Sequence, residues 1–205
     1  MMQLKKLVCL MLALALLPLS AALAEEESYF TARDLAQDYD ANKAAMIQLL
    51  DNEIAAGTES VTVSGTTATI TAEGVYVLTG TLQNGQIIVD AGKEDNVYLT
   101  LSGASITCSS SAPIYIKKAS AVTIISSDGT ENDISDGNTY ALEEGEDEPD
   151  AAIFSKADLS FSGDGKLTVE GNYDMAIHSK DSVCFFDNGT YDIFSAGDGV
   201  KGKDS

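Results

Sequence analysis

Short runs of alternating apolar and polar residues make up most of this chain, and turn residues bound each run. One set lies at residues 153–156, 159–162 and 166–169, with Gly163-Asp164-Gly165 before the last run. Runs of this length, alternation and punctuation predict β-strands. A second set of the same kind follows at 177–180, 183–186 and 190–193.

A five-residue pattern recurs in register with these sets. Ala152-Ile153-Phe154-Ser155-Lys156 returns as Ala176-Ile177-His178-Ser179-Lys180 and as Gly199-Val200-Lys201-Gly202-Lys203, and Pro113-Ile114-Tyr115-Ile116-Lys117 is an earlier copy. The earlier copy is separated from the others by an insertion at residues 139–150, which is mostly acidic. A fixed period with three strands per period predicts stacked repeats, because one repeat cannot bury its own apolar face. The fold class that we expect is all-β, a right-handed parallel β-helix with three short strands per coil, and the alternative is an antiparallel sandwich.

Alternate side chains of a strand face opposite ways, so the repeat predicts which positions are buried. The positions expected to point inward are Ile114, Ile153, Ile177 and Val200, with Ile116, Ser155, Ser179 and Gly202 two residues later. Those expected to point outward are Tyr115, Phe154, His178 and Lys201, and then Lys117, Lys156, Lys180 and Lys203. The repeat therefore predicts one outer face with an aromatic column beside a lysine column.

The lysines of that face stand out because basic residues are scarce in this chain. Asp and Glu total 32, Lys and Arg total 12, and the net charge is −20. Such a balance argues against a nucleic-acid binder, which needs phosphate contacts, and against docking on an anionic membrane. Five lysines nevertheless fall on the predicted face, where rings and ammonium groups suit the sugars and carboxylates of an acidic polysaccharide. The candidate carbohydrate-binding residues are Tyr115, Lys117, Phe154, Lys156, His178, Lys180, Lys201 and Lys203. The simpler interpretation is that the lysines pair with neighbouring aspartates and the aromatic rings only stack.

Aspartates also recur at the turns around the repeated strand. Stacked coils would bring their carboxylates close together, and Ca²⁺ prefers six to eight oxygen ligands. The candidate calcium ligands are Asp158, Asp174, Asp181, Asp198 and Asp204. The alternative role for each is a turn residue that holds its own backbone. The acidic run at 143–150 is interpreted as a solvated loop that could also supply ligands.

The first residues resemble a secretory signal peptide. Lys5 and Lys6 precede an apolar run at 7–17, and Ala22-Leu23-Ala24 forms a cleavage pattern. We therefore expect residues 1–24 to be a signal peptide, 25–57 a linker or cap segment, and 58–205 the repeat domain. The protein is expected to be secreted or held at the cell surface, with no membrane contact after cleavage.

Cys108 and Cys184 would lie about three rungs apart, roughly 14 Å, which is too far for a disulfide.

Three segments of the chain resemble a known family. The opening, residues 74–82 followed by 85–91, resembles that of the clostridial-type carbohydrate-binding β-helix family, whose fold and calcium use are like those of pectate lyases. The segment from Glu146 to Lys156 and the segment from Asp198 to Ser205 are similar to the two strongest signatures of that family. The resemblance implies calcium held by aspartates and binding of polygalacturonate-like chains and cellulose. It also implies a strand at 44–50, where apolar spacing alone would fit a helix. The chain stops at Ser205, where that family continues with more coils, so we expect an incomplete domain.

Two other functions compete with a calcium-dependent binding protein. A pectate-type polysaccharide lyase would need a basic residue with a pKa lowered toward neutrality, whereas an acidic chain tends to raise the pKa of a lysine. A structural or adhesive surface solenoid would bind no defined ligand. The sequence therefore favours a secreted, non-enzymatic carbohydrate-binding protein.

Overall fold

The computed structural model describes residues 43–142, 144–186 and 188–203, and these form seventeen strands and no α-helix. The strands are β1 (Ala45–Asp51), β2 (Ile54–Ala56), β3 (Val61–Ser64), β4 (Thr67–Ile70), β5 (Gly74–Leu82), β6 (Gln86–Asp90), β7 (Asn96–Cys108), β8 (Ile114–Lys118), β9 (Ala121–Ser126), β10 (Glu131–Asp136), β11 (Ala151–Ser155), β12 (Asp158–Ser162), β13 (Lys166–Gly171), β14 (Met175–Ser179), β15 (Val183–Phe185), β16 (Thr190–Ser195) and β17 (Val200–Lys201). The segment predicted to be a signal peptide lies outside the described residues. Within them, no helix is long and apolar enough to cross a membrane.

The strands form two mixed sheets in which parallel pairs predominate. The first sheet has ten strands, in the order β15-β12-β9-β7-β10-β13-β16, with β5 paired to β7, β1 to β5 and β2 to β1. The second has seven strands, in the order β17-β14-β11-β8-β6-β4-β3. Among the described strands, β1 with β2 and β3 with β4 are the antiparallel pairs. Because parallel pairs predominate, the alternative of an antiparallel sandwich is excluded.

The expected right-handed parallel β-helix with three short strands per coil is wrong as a description of these sheets. The reason is β7, which spans 13 residues. Its first half pairs with β9, from Asn96 to Leu101, and its second half pairs with β10, from Ser105 to Cys108. Strands that the repeat predicted on separate faces are therefore hydrogen-bonded into one continuous sheet, and antiparallel pairs begin both sheets.

Pairing in register stacks aliphatic side chains into the core. Ile87, Ile114, Ile153 and Ile177 are partners along the second sheet, and all four are fully buried. Similar columns run through the first sheet, one from Val97 to Val183 and one from Ile106 to Ile193. All three columns belong to one apolar cluster. At about 25 cal/mol per Å² of apolar surface, this shared burial is the main stabilising contribution.

The N-terminal strand confirms the choice of strand over helix near residue 45. β1 pairs in parallel with β5 over seven positions, and Ile47 and Leu49 point into the core. Its alternating burial pattern is that of a strand with one face covered.

Cys108 at the end of β7 and Cys184 in β15 are not joined by a disulfide.

Candidate functional site

The candidate site lies where β8, β11, β14 and β17 pair along the second sheet. The register joins Tyr115 to Phe154, Phe154 to His178 and His178 to Lys201, as the repeat predicted. Neighbouring strands of a sheet lie about 4.8 Å apart. The inward positions are confirmed as buried for Ile114, Ile153, Ile177, Ile116, Ser155 and Ser179. The inward prediction is wrong for Val200, which is 41% exposed, and for Gly202, which is also exposed, because both lie at the last described strand of the sheet.

The lysine column of the prediction is at the surface. The exposed members are Lys117, Lys156, Lys180, Lys201 and Lys203. Lys156 and Lys180 each follow the last residue of paired strands, since Ser155 pairs with Ser179. Lys117 Nζ lies 5.3 Å from the centroid of the Tyr115 ring, a cation–π distance. The sheet therefore presents a row of ammonium groups on consecutive strands.

The aromatic column exists, but its predicted exposure is wrong for two of its members. The ring centroids of Tyr115 and Phe154 lie 5.6 Å apart and those of Phe154 and His178 lie 5.3 Å apart, both edge to face. Phe154 is fully buried and His178 is 5% exposed. The rings of Phe154 and Tyr115 sit in a second, smaller apolar cluster with Ala112, Ala151, Met175 and Tyr140. Tyr140 comes from the insertion, so the insertion covers the column that the sequence placed in solvent.

Tyr140 fixes the insertion to the sheet through its hydroxyl and its ring. The hydroxyl donates to Asp136 Oδ2 at 2.7 Å and lies 3.0 Å from the carbonyl oxygen of Ala151. The ring stacks on Tyr173, with centroids 4.1 Å apart and planes 11° apart. Burial raises the pKa of Tyr140, and the neighbouring Asp136 carboxylate raises it further, so the hydroxyl is a donor at neutral pH. Burial also raises the pKa of Asp136, although the bond from Tyr140 opposes that shift.

Glu148 brings the insertion directly onto the lysine column. Its Oε2 lies 3.4 Å from Lys156 Nζ, and its Oε1 is hydrogen-bonded to Lys180 Nζ. Burial alone would raise the pKa of Glu148, but Lys180 and Lys156 outweigh it and lower the pKa. The acidic run is therefore not simply a solvated loop, and the partner of two predicted site lysines is a glutamate that the repeat did not reveal.

Asp150 makes a third attachment of the insertion. Its Oδ1 lies 2.6 Å from His178 Nδ1. The side chain of His178 is 7% exposed and that of Asp150 is 18% exposed, so the pair is largely shielded from water. The sole histidine of the chain thus holds the insertion against the sheet.

The predicted calcium ligands are distributed over several turns. Asp158 Oδ1 accepts a 2.6 Å bond from the Ser182 hydroxyl. The backbone carbonyls of Asp174, Asp181 and Asp198 accept bonds from the amides of Gly197, Lys203 and Ala176 respectively. Asp204 lies outside the described residues. In the described part of the chain, no group of three acidic, histidine or cysteine side chains is placed to hold a metal ion.

A second surface, absent from the sequence prediction, surrounds Phe194 on the outer face of the first sheet. Phe194 on β16 is 60% exposed, and its register partner on β13 is Glu170. The Oε2 atom of Glu170 accepts a bond from the Ser135 hydroxyl at 3.3 Å. A shallow groove is lined by Glu170, Gly171, Asn172, Phe194, Ser195 and Ala196. An exposed ring beside carboxylate and amide groups can pack against the apolar face of a sugar while those groups bind its hydroxyls.

Comparison with known proteins identifies the family. A family described as "Carbohydrate-binding domain-containing protein" matches residues 64–205, more than half of the chain. The chain belongs to this family. A carbohydrate-binding domain-containing protein of Acetivibrio thermocellus (strain ATCC 27405 / DSM 1237) is 40% identical over 126 residues, which cover 61% of this chain and 44% of that protein.

A solved structure also resembles this carbohydrate-binding domain. It is described as a gadolinium derivative of the polysaccharide lyase-like protein from C. thermocellum, with 36% identity and a TM-score of 0.67. The match covers 69% of this chain and 58% of that one. The chain thus spans about half the length of the proteins that it matches.

Lys156 and Lys180 of this carbohydrate-binding domain do not have the electrostatics of a lyase base. Hydrogen bonding to Glu148 raises the pKa of Lys180. Burial alone would lower the pKa of Lys156, but Tyr115 and Glu148 raise it instead. A general base at neutral pH needs the opposite shift. The matching family is named for carbohydrate binding, whereas the structural neighbour is called polysaccharide lyase-like.

Proposed function

We propose that this protein is secreted and binds an acidic polysaccharide of the polygalacturonate type through the row of lysines on the second sheet. The observation that carries the proposal is the row itself, in which Lys117, Lys156 and Lys180 follow one another on paired strands. The chain has a net charge of −20, so a line of ammonium groups is a local exception to its overall field.

The row suits a polymer with carboxylates at regular intervals. An exposed ion pair contributes only about 0.2–1 kcal/mol, so one lysine would bind a single uronate weakly. Several lysines in a line bind successive uronates of the same chain, and each contact after the first is effectively intramolecular. Two of these lysines already bind a carboxylate in the structure, that of Glu148.

Calcium dependence is a separate part of the proposal. The described aspartates do not gather into a protein-built cage, so the proposal requires that uronate carboxylates complete the coordination of the ion. Calcium takes six to eight oxygens, and carboxylates from both partners could supply them. The role of calcium is then to join polysaccharide to turn aspartates such as Asp174 and Asp198.

Affinity electrophoresis through gels that contain polygalacturonate tests the proposal. The gel polymer and the protein are both anionic, so non-specific electrostatics would not retard the protein. We expect retardation relative to a gel without polysaccharide, and reduced retardation after chelation of calcium. Lys156→Ala and Lys180→Ala should each weaken binding about two- to fivefold, the equivalent of an exposed ion pair.

Lys166→Ala is the matched control, because it removes the same charge from the first sheet, where Lys166 pairs with Asp192 at 2.9 Å. It should bind like the wild type after correction for mobility. A folded wild-type protein that is not retarded, and that stays unretarded when the Glu148 carboxylate is neutralised, would reject the acidic polysaccharide as the ligand. Retardation that persists with chelator would reject calcium dependence alone.

The groove at Phe194 favours a second ligand, a neutral glucan such as cellulose. Phe194→Ala should abolish retardation in a neutral glucan gel and leave polygalacturonate binding unchanged, because the ring lies on the other sheet. Equal loss in both gels would show that one surface serves both polymers.

A further inference from the structure

Glu148 has a position that the other described residues of the acidic run do not share. Each of its two carboxylate oxygens faces a different lysine, Lys156 on one strand end and Lys180 on the next. The Glu148 side chain is 17% exposed, whereas those of the two lysines are 41% and 50% exposed. The lysines therefore reach the solvent while the carboxylate between them is held against the sheet.

The segment that presents Glu148 is fixed on both sides. Pro149 is buried and Asp150 is bonded to His178 at 2.6 Å. Upstream, Tyr140 is bonded to Asp136 and stacked on Tyr173. A carboxylate anchored in this way has a high effective concentration at the two ammonium groups. Free carboxylates in solution would compete with it poorly.

We propose that Glu148 is an internal substitute for a uronate carboxylate, so that an acidic polysaccharide must displace it to bind Lys156 and Lys180. This inference rests on the proposed function. It assigns the Lys156–Lys180 pair as a carboxylate subsite and residues 144–150 as the segment that occupies it. Affinity for the polysaccharide is thereby reduced by the cost of releasing Glu148.

Neutralising Glu148 tests the inference with a matched control. Glu148→Gln and Glu146→Gln each remove one negative charge from the same segment, but Glu146 is exposed and lies two residues from the subsite. With polygalacturonate as the probe, we expect Glu148→Gln to bind about three- to tenfold tighter than the wild type. Glu146→Gln should change affinity less than twofold. Equal affinities of the two variants would overturn the inference.

The outcomes separate this inference from the proposed function. If the wild type binds polygalacturonate and Glu148→Gln binds no tighter than Glu146→Gln, the internal substitute is rejected and the polysaccharide remains the ligand. If the wild type does not bind but Glu148→Gln does, both proposals hold and Glu148 blocks the site completely. If none of the three proteins binds, the acidic polysaccharide is rejected, and the internal substitute with it.

Amide hydrogen exchange of the wild-type protein tests the same inference and does not depend on whether a variant folds. Amide hydrogen exchange across residues 144–150 should quicken when polygalacturonate saturates the protein, because displaced Glu148 no longer holds the segment. Exchange in β11 should stay slow as the internal reference. Unchanged exchange in residues 144–150 of the bound protein would overturn the inference.

Discussion

Asp150 and His178 lie 28 positions apart in the sequence, and their side chains meet at 2.6 Å between Oδ1 and Nδ1. Asp150 ends the insertion, while His178 stands on β14, edge to face with Phe154. The contact joins the acidic segment to the aromatic column. The histidine that the sequence suggested as a sugar contact is therefore a structural anchor for the segment above it.

Replacement of His178 should loosen that segment. His178→Ala removes both the bond to Asp150 and the ring beside Phe154, and we expect a loss of about 1–3 kcal/mol in the free energy of unfolding. His178→Phe keeps a ring but leaves Asp150 without this partner, so its loss should be smaller while exchange in residues 144–150 still rises. Urea unfolding and hydrogen exchange measure the two effects. Unfolding free energies like that of the wild type for both variants would contradict the anchor role.

The ion pairs of Glu148 should fail only in acid. The pKa of Glu148 is lowered from its ordinary value of 4.5 in the folded protein. A lowered pKa means that the stabilisation is complete above the ordinary value and is lost as the pH falls through the folded value. The ¹³C shift of the Glu148 carboxyl should therefore titrate with a midpoint below 4.5.

The double variant Lys156→Ala/Lys180→Ala is the control for this titration. Without the two ammonium groups, burial is the remaining influence, and the Glu148 midpoint should rise above its wild-type value. High salt should shift the wild-type midpoint in the same direction, because the lysines are half exposed and screened by ions. A midpoint unaffected by the double substitution would show that the lysines do not hold Glu148.

Local pattern predicted the core and the lysine row, because both follow from alternation along single strands. Ile153 and Ile177 are buried and Lys156 and Lys180 are exposed, as the repeat of 24 residues required. The same alternation placed Phe154 in solvent, and that prediction is wrong. A strand pattern says which side of the sheet a residue faces, but not whether another segment covers that side.

The covering segment could not be recognised from its own composition. Half of residues 139–150 are acidic and few are apolar, a composition that usually indicates a solvated loop. Its attachment depends on Tyr140 against Tyr173, Glu148 against Lys180 and Asp150 against His178, which are contacts between residues about 30 positions apart in sequence. The sequence predicted three strands per coil and did not show that two of them belong to one sheet. That continuity depends on β7, which pairs with both β9 and β10.

Asn132 should be essential where the first sheet is irregular. The pairing of β5 with β7 shifts between Leu78 and Gly80, and Asn132 of β10 is fully buried beside it. Its Oδ1 accepts from the Ala104 amide at 2.9 Å, and its Nδ2 donates to the Lys166 carbonyl at 3.0 Å. The side chain thus supplies hydrogen bonds to the backbones of two neighbouring strands.

Two substitutions at Asn132 distinguish its acceptor from its donor. Asn132→Ala leaves the buried Ala104 amide without this acceptor, at a cost of about 1–3 kcal/mol, and removes the side-chain bond to the Lys166 carbonyl. Asn132→Asp keeps the acceptor but loses the donor and buries a charge, so its stability should rise as the pH falls and the carboxyl is protonated. Urea unfolding at pH 7 and pH 5 measures both effects. A pH-independent difference between Asn132→Asp and the wild type would contradict this role.

Gly80 should tolerate no side chain, because it lies against β1 in the first sheet. Its φ is +93°, and a Cβ atom there would lie 2.3 Å from the carbonyl oxygen of Leu49, which belongs to the backbone and cannot move aside freely. Gly103 on β7 is the control, with a φ of +70° and open space around the position of a Cβ. Gly103→Ala should cost about 1–3 kcal/mol from backbone strain alone. Gly80→Ala carries the same strain plus the clash, which forces β1 away from β5. Chemical denaturation should therefore show that Gly80→Ala is the less stable variant, and amide exchange in β1 should be faster in it. An equal loss of stability in the two variants would contradict the prediction, because it would mean that β1 moves away from the new side chain at no measurable cost.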